Sequence, residues 1–158
     1  MDAVHSAPSA PTGLPALPCA ESTRAGQGTR AFLHLLEAFR PTGGTAPGRA
    51  MSEMLKAHRR GDLVTLARLI VSRQVFSFGW RGSLWLPMFQ FDPVDLSVAV
   101  APQEVRLELP TTLDGWAIAC WFAEPHAVLG GHLPVDLVGN DVRAVRDAAR
   151  ATCARLRT

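Results

Sequence analysis

The segment from Asp114 to Asp141, DGWAIACWFAEPHAVLGGHLPVDLVGND, restricts the fold of this chain more than any other stretch. It opens with an aromatic-rich apolar run that Pro125 ends, and it continues through a Gly130-Gly131 turn to a second helix that Pro134 opens. Proline cannot continue a helix, but it suits the first helical position. The segment therefore predicts short helices that pack closely around their aromatic side chains.

Apolar residues recur at helical spacing through much of the remaining chain and predict further amphipathic helices. Gly61 suits the end of one helix, and Asp62 suits the cap of the next. Short helical turns are expected after Pro125 and Pro134. The main predicted helices span residues 29–39, 48–60, 63–73, 102–109, 115–123 and 142–155.

The pattern changes from helical spacing to alternation in residues 75–91. Residues 75–80 alternate as a strand, Arg81-Gly82 is a tight-turn dipeptide, and residues 83–91 form the returning strand of a β-hairpin. Pro87 places this second strand at a sheet edge or a bulge, because proline has no N–H to donate. The predicted fold class is therefore mainly α: one or more small helical domains with one β-hairpin.

The first 28 residues differ in composition from the rest of the chain. They are rich in Pro, Ala, Ser and Gly and have no apolar periodicity, which predicts a disordered N-terminal tail. The chain then divides into three predicted parts. These are the tail over residues 1–28, a helical segment with the hairpin over residues 29–91, and a helical domain over residues 92–158.

Charge is distributed unevenly along the 158 residues, although the net charge is only +2. Residues 51–90 carry six basic and two acidic side chains, residues 91–142 carry one basic and eight acidic, and residues 143–158 carry five basic and one acidic. This asymmetry permits an anionic partner on one face and a cationic partner on another. Mutual neutralisation within the fold, or within a homo-oligomer, accounts for it equally well.

Several classes of function find no support in the sequence. The three cysteines form no CxxC pair, and no apolar run approaches the length of a membrane span, so we expect a cytoplasmic protein without membrane contact. Cys120, His126, His132 and Asp136 match no known zinc spacing. No nucleophile–base pair stands out either. We therefore predict neither an enzyme nor a bound metal or cofactor.

Two blocks of residues resemble the Xre/MbcA/ParS-type antitoxins over roughly residues 75–150. The first block resembles the hairpin with a P-x-x-Q-F motif that occurs upstream in related proteins, and the second resembles the toxin-binding domain. The first block comprises Trp80-Arg81-Gly82 and Trp85-Leu86-Pro87-Met88-Phe89-Gln90-Phe91-Asp92; the second comprises Asp114-Gly115-Trp116, Ala119, Trp121-Phe122-Ala123, Pro125, Leu129-Gly130-Gly131 and Pro134-Val135-Asp136-Leu137.

The resemblance implies the antitoxin half of a bacterial toxin–antitoxin pair. Such a protein binds its cognate toxin, commonly a RES-domain enzyme that consumes NAD, and blocks the toxin's active site by protein–protein contact. We expect one of the two tryptophans of residues 115–123 to lie at the boundary of the core, where aromatic side chains often become binding hot spots. The predicted partner-binding residues are Trp116, Trp121, Phe122, Pro125, Leu129, Gly130, Gly131, Pro134 and Asp136.

Two alternatives remain open. Related antitoxins often bind operator DNA through an N-terminal helix-turn-helix, but residues 1–74 show no clear domain of that type. Residues 51–91 instead show two helices followed by a hairpin, a winged-helix order that suits a transcriptional regulator. The other alternative is a structural or oligomerisation module, in which the aromatic residues are core and the arginines are a solvated face. The predicted nucleic-acid-binding residues are Arg59, Arg60, Arg68, Arg73 and Arg81.

Overall fold

The computed structural model describes residues 28–158 and shows the predicted mainly α fold with a small sheet. The predicted disordered tail lies outside the described residues, except for Gly28. Within the described range the helices are α1 (Thr29–Phe39), α2 (Gly48–Ala57), α3 (Leu63–Val71), α4 (Val100–Glu108), α5 (Gly115–Ala123), α6 (Pro134–Leu137) and α7 (Val142–Leu156), and the strands are β1 (Thr45–Pro47), β2 (Phe78–Trp80) and β3 (Ser83–Pro87).

A side-chain cap marks the start of α3, and residues with left-handed backbone angles follow the ends of α2 and α3. The Asp62 carboxylate accepts hydrogen bonds from the backbone N–H groups of Val64 and Thr65, at 3.0 and 3.1 Å, which confirms the predicted cap of α3. Both helices end earlier than predicted. Arg59 follows α2 with φ of 53°, and Arg73 follows α3 with φ of 63°, so each lies in the left-handed region that a continuing helix excludes.

The three strands form an antiparallel sheet in the order β1-β3-β2. The predicted hairpin of β2 and β3 is confirmed, with Phe78 opposite Trp85. The prediction that Pro87 marks an edge or a bulge is wrong, because β3 is the central strand. Pro87 is instead the last residue of β3, opposite Thr45, and the ladder continues through a 2.9 Å hydrogen bond from Met88 N to the Gly44 carbonyl oxygen.

The buried apolar side chains form two clusters. The larger cluster surrounds α5 and includes residues of α1, β2, α4, α6 and α7. It therefore extends across the predicted boundary between residues 91 and 92. The smaller cluster lies between α2, α3 and the sheet and comprises Met51, Leu55, Leu66, Val75, Leu86, Phe91 and Leu96.

Gln90 connects the hairpin to the chain segment that precedes it. Its buried side chain accepts a hydrogen bond from Phe76 N at 2.7 Å and donates to the carbonyl oxygens of Phe76 and Pro87, at 2.9 and 3.1 Å. The N–H and the carbonyl oxygen of the buried Phe76 have no backbone partner and would be unsatisfied without this amide. The glutamine of the P-x-x-Q-F motif is thus a structural residue that replaces a missing strand pair.

Replacing Gln90 by Met, which has a similar shape but no amide, should destabilise the protein by about 2–4 kcal/mol. The variant leaves the N–H and carbonyl of Phe76 buried without partners, and each such group costs about 1–3 kcal/mol. Urea unfolding monitored by tryptophan fluorescence measures the change. Gln74→Met is the control, because the Gln74 side-chain amide donates to the exposed Ser72 hydroxyl and its loss should cost no more than about 0.5 kcal/mol. Equal effects of the two substitutions would contradict this role for Gln90.

Candidate functional site

Helix α5 is the scaffold of the segment that the sequence singled out. Asp114 caps it, since a carboxylate oxygen of Asp114 accepts a 2.8 Å hydrogen bond from Ala117 N. Trp116 and every residue of 118–123 are buried, because α1, β2, α6 and α7 surround the helix. The apolar character of α5 on all sides is typical of a helix in the middle of a core.

Gly115 explains the second position of the DGW motif. The start of α5 approaches the strand β2 so closely that a Cβ on Gly115 would overlap the carbonyl oxygen of Ser77. Only glycine allows this backbone-to-backbone contact. The motif therefore serves to seat α5 against the hairpin.

Both tryptophans of α5 belong to the core. Trp116 is 7% exposed and Trp121 is 6% exposed, so the prediction that one of them lies at a boundary is wrong. Helix α7 covers Trp121, whose indole N–H donates a 2.9 Å hydrogen bond to the Thr152 hydroxyl. The Trp121 carbonyl oxygen is 2.9 Å from His126 Nε2, which connects the end of α5 to the following turn.

Residues 125–133, which we call the 125–133 turn, form an exposed part of this segment between α5 and α6. The His126 carbonyl oxygen accepts hydrogen bonds from Leu129 N at 3.0 Å and from Gly131 N at 2.9 Å. Gly130 and Gly131 have φ of 64° and 84°, a conformation that favours glycine and lets the chain reverse. Leu129 points into the core, whereas Val128 is 65% exposed.

The nine predicted partner-binding residues divide into two groups. Five are buried and support the surface without forming it, whereas four are exposed on or just after the 125–133 turn. The sequence patterns did not identify Val128 as an exposed residue. They contained the necessary signal, because only one of two adjacent apolar residues in so tight a turn can face inward. The buried residues are Trp116, Trp121, Phe122, Leu129 and Pro134, and the exposed ones are Pro125, Gly130, Gly131 and Asp136.

The five predicted nucleic-acid-binding arginines differ in their surroundings. Arg59 and Arg68 are exposed, and Arg81 lies over the Trp80 ring, with its guanidinium carbon 4.3 Å from the ring centroid. Arg60 forms an ion pair with Asp95, at 2.9 Å between Nη2 and Oδ2. Arg73 is half-buried, and its Nε has no protein acceptor.

Residues 29–87 also extend the predicted winged-helix order. The elements follow one another as α1, β1, α2, α3, β2 and β3, and β1 adds a strand to the predicted hairpin. In DNA-binding proteins of the helix-turn-helix type, the second helix of the motif enters the major groove. Here that helix is α3, and its exposed side chains include Leu63, Val64 and Val71 beside Arg68.

The arginines of α7 pair with acidic residues of α4. The Glu108 carboxylate accepts hydrogen bonds from Arg150 at 2.7 Å and from Arg146 at 2.9 Å, and Arg146 also lies 3.5 Å from Glu104. The two guanidinium groups lower the pKa of Glu108 to about 2. Neutralisation within the fold therefore accounts for part of the charge asymmetry of the chain.

Neither the chemistry of the described residues nor comparison with known proteins assigns a function to this site. Among residues 28–158, no three His, Cys, Asp or Glu side chains come together as a metal site. No helix in that part of the chain is long and apolar enough to cross a membrane. No protein-family model, curated protein or solved structure matches this chain. The resemblance to the Xre/MbcA/ParS-type antitoxins stays a prediction from the residues quoted above.

Replacing Glu108 by Gln should lower the free energy of unfolding by about 1 kcal/mol at neutral pH, because the ion network is partly exposed. The pKa of Glu108 falls on folding from 4.5 to about 2, so its charge stabilises the folded state above about pH 4.5. That contribution disappears as the pH falls towards 2. Denaturant unfolding of both proteins across this range measures the difference.

Glu53→Gln is the matched control for this pH profile. Glu53 forms an exposed pair with Lys56 within α2, at 3.2 Å. Such pairs contribute about 0.5 kcal/mol or less, so this variant should follow the wild type at every pH. A constant difference between Glu108→Gln and wild type down to the lowest pH would contradict the assigned cause.

Proposed function

We propose that this protein is an antitoxin-like binding protein that neutralises a cognate bacterial toxin in the cytoplasm through the 125–133 turn. The observation that carries the proposal is the exposure of Val128 at the tip of this turn, directly beside the buried Leu129. An exposed valine between rigid neighbours costs little conformational entropy when a partner covers it. Binding works by occlusion and requires no catalytic group on this chain.

The hydrogen bonds of the 125–133 turn support a preformed surface. The His126 carbonyl oxygen accepts two of them, and the His126 ring is fixed by the Trp121 carbonyl oxygen. Leu129 in the middle of the turn and Pro134 directly after it are both buried. A partner therefore meets a surface that needs no ordering, and the buried residues of the motif act by holding it in place.

The resemblance implies the class of the toxin, a RES-domain enzyme that consumes NAD. The charge of the exposed surface is compatible with a basic rim on that partner, since Asp136 is exposed just after the turn. Co-expression with the neighbouring open reading frame, followed by purification through a tag on this protein, identifies the partner. A stoichiometric protein that is toxic alone and harmless in the complex is the expected result.

Replacing Val128 by Asp should weaken binding of this partner at least about 10-fold, because it places a charge in the apolar centre of the contact. The unfolding temperature should not change, since Val128 is exposed. Calorimetric titration with the purified partner measures the affinity of both variants. Val94→Asp, at an exposed valine on another loop, is the control. Wild-type affinity in Val128→Asp would remove the 125–133 turn from the interface.

A second candidate function is operator binding by residues 29–87, which the winged-helix order of elements favours. Gel shifts with the promoter of the protein's own operon test it at several salt concentrations. Arg68→Ala and Arg59→Asn, which suits the left-handed backbone, should each weaken binding and lower the salt slope by about 1. Arg143→Ala on α7 is the control. DNA binding that depends on neither Arg68 nor Arg59 would reject this candidate. The exposed apolar side chains of α3 favour a contact with protein instead.

A further inference from the structure

Helix α3 turns an apolar face towards solvent. Of its nine residues only Leu66 is buried, whereas Leu63, Val64 and Val71 are 61%, 58% and 83% exposed. Successive residues of a helix turn by about 100°, so the apolar residues of this face lie within about 120° of the circumference. A helix at a protein surface normally turns such a stripe towards the core. The residues of the apolar face of α3 are Leu63, Val64, Ala67, Ile70 and Val71.

The apolar face of α3 forms one wall of a groove of about 780 Å³ between α2, α3 and the hairpin. Leu63, Ala67 and Ile70 line the groove from α3. Leu84 lines it from β3 and is 41% exposed. The α3 side of the groove therefore suits an uncharged, apolar segment. The charged residues of the lining all lie on α2 and are Arg49, Glu53 and Lys56.

Residues 1–27 join the described chain beside this groove. The hydroxyl of Thr29, the first residue of α1, accepts a 3.3 Å hydrogen bond from Nη2 of Arg81 at the hairpin turn. Leu84, which lines the groove, follows Arg81 by three residues in the same hairpin. Residues 19–28 can reach about 33 Å when fully extended, several times the width of a two-stranded hairpin. The preceding chain can therefore pass round the hairpin turn and enter the groove.

Residues 14–18, Leu-Pro-Ala-Leu-Pro, are the part of residues 1–27 whose sequence suits this groove. They include both leucines of residues 1–27 and carry no charge. Leu14 and Leu17 each precede a proline, which favours an extended or polyproline II backbone at both positions. Polyproline II has three residues per turn, so these leucines share one face. Five such residues span about 15 Å, close to the length of about 14 Å of the nine-residue α3.

We propose that residues 14–18 bind in this groove of the same chain, with Leu14 and Leu17 against the apolar face of α3. The contact removes apolar surface from water, and the fixed φ of proline reduces the entropy lost on binding. Polyproline II has no internal hydrogen bonds, so this mode agrees with a composition that predicts neither helix nor strand. Attachment through residues 19–28 provides an effective concentration that is roughly millimolar, so even a weak contact is occupied. The proposal does not depend on the 125–133 turn or the antitoxin role.

Cys19 directly follows the segment and can report its position by disulfide cross-linking. Full-length protein carrying Cys153→Ser and Ala67→Cys is incubated with oxidised glutathione, and mass spectrometry of tryptic peptides detects the intramolecular bond to Cys19. Cys120 is buried and does not compete. The bond should form at least about 10-fold faster than with Val128→Cys, which is exposed but does not line the groove. Equal rates at the two positions would overturn the proposal.

Substitutions within residues 1–27 give a matched comparison in the same cross-linking assay. Leu14→Asp together with Leu17→Asp should slow the bond from Cys19 to the Ala67→Cys position by about 10-fold, because it places two charges against an apolar wall. Val4→Asp, at an aliphatic residue outside the segment, should leave the rate unchanged. Equal slowing by Val4→Asp would show that the leucines have no specific contact and would overturn the proposal. Disulfide-linked dimers through the Ala67→Cys position would overturn it in favour of a second copy.

A synthetic peptide of residues 10–18 gives a second readout by calorimetric titration. It should bind the full-length variant with Leu14→Asp and Leu17→Asp at least about 10-fold more tightly than it binds the wild type, in which the attached segment competes. Adding Leu63→Asp, at an exposed leucine of the groove, should remove this binding, whereas adding Val128→Asp should not. Equal affinity of the peptide for the wild type and the variant, or binding that Leu63→Asp does not weaken, would overturn the proposal.

Discussion

The burial of α5 on every side is the constraint on which the rest of the structure depends. Its residues contact α1, the hairpin, α6 and α7, so these elements share one apolar cluster. Two contacts fix its position. The start of α5 touches the backbone of Ser77 through Gly115, and its far end is joined to α7 by the hydrogen bond from Trp121 to Thr152. A helix without a polar face has no other way to avoid water.

This arrangement divides the residues of the 114–141 segment into a buried support and an exposed surface. The aromatic residues that attract attention in the sequence are the support, because they fill the core around α5. The exposed residues of the 125–133 turn are Pro125, Ala127, Val128, Gly130, Gly131 and His132, and the turn is held in place by Leu129 and His126. Substitutions in the support would act on any binding partner indirectly, through the position of the turn. Only substitutions at exposed positions test contact itself.

The sequence was sufficient to predict elements whose signal is local. Asp62 caps a helix as expected, and the alternation before and after Arg81 predicted the hairpin. The features that it did not predict depend on contacts distant in the chain. Strand β1 has three residues, too few for a pattern, and exists only because β3 lies beside it. The burial of Trp121 could not be predicted from the sequence either, since Thr152, which covers it, lies 31 positions later.

Several buried polar groups in the described part of this chain find partners that lie far away in the sequence. The Gln90 amide satisfies both backbone groups of Phe76, and the Trp121 indole and the Thr152 hydroxyl satisfy each other and the Ala148 carbonyl oxygen. Other buried polar atoms of the described residues have no protein partner, among them the indole nitrogens of Trp85 and Trp116 and one carboxylate oxygen of Glu124. Arg106, the one cation among the buried residues of the described chain, has two such atoms, Nε and Nη1. Packing alone does not explain this choice, because leucine or methionine would fill the same place at lower cost.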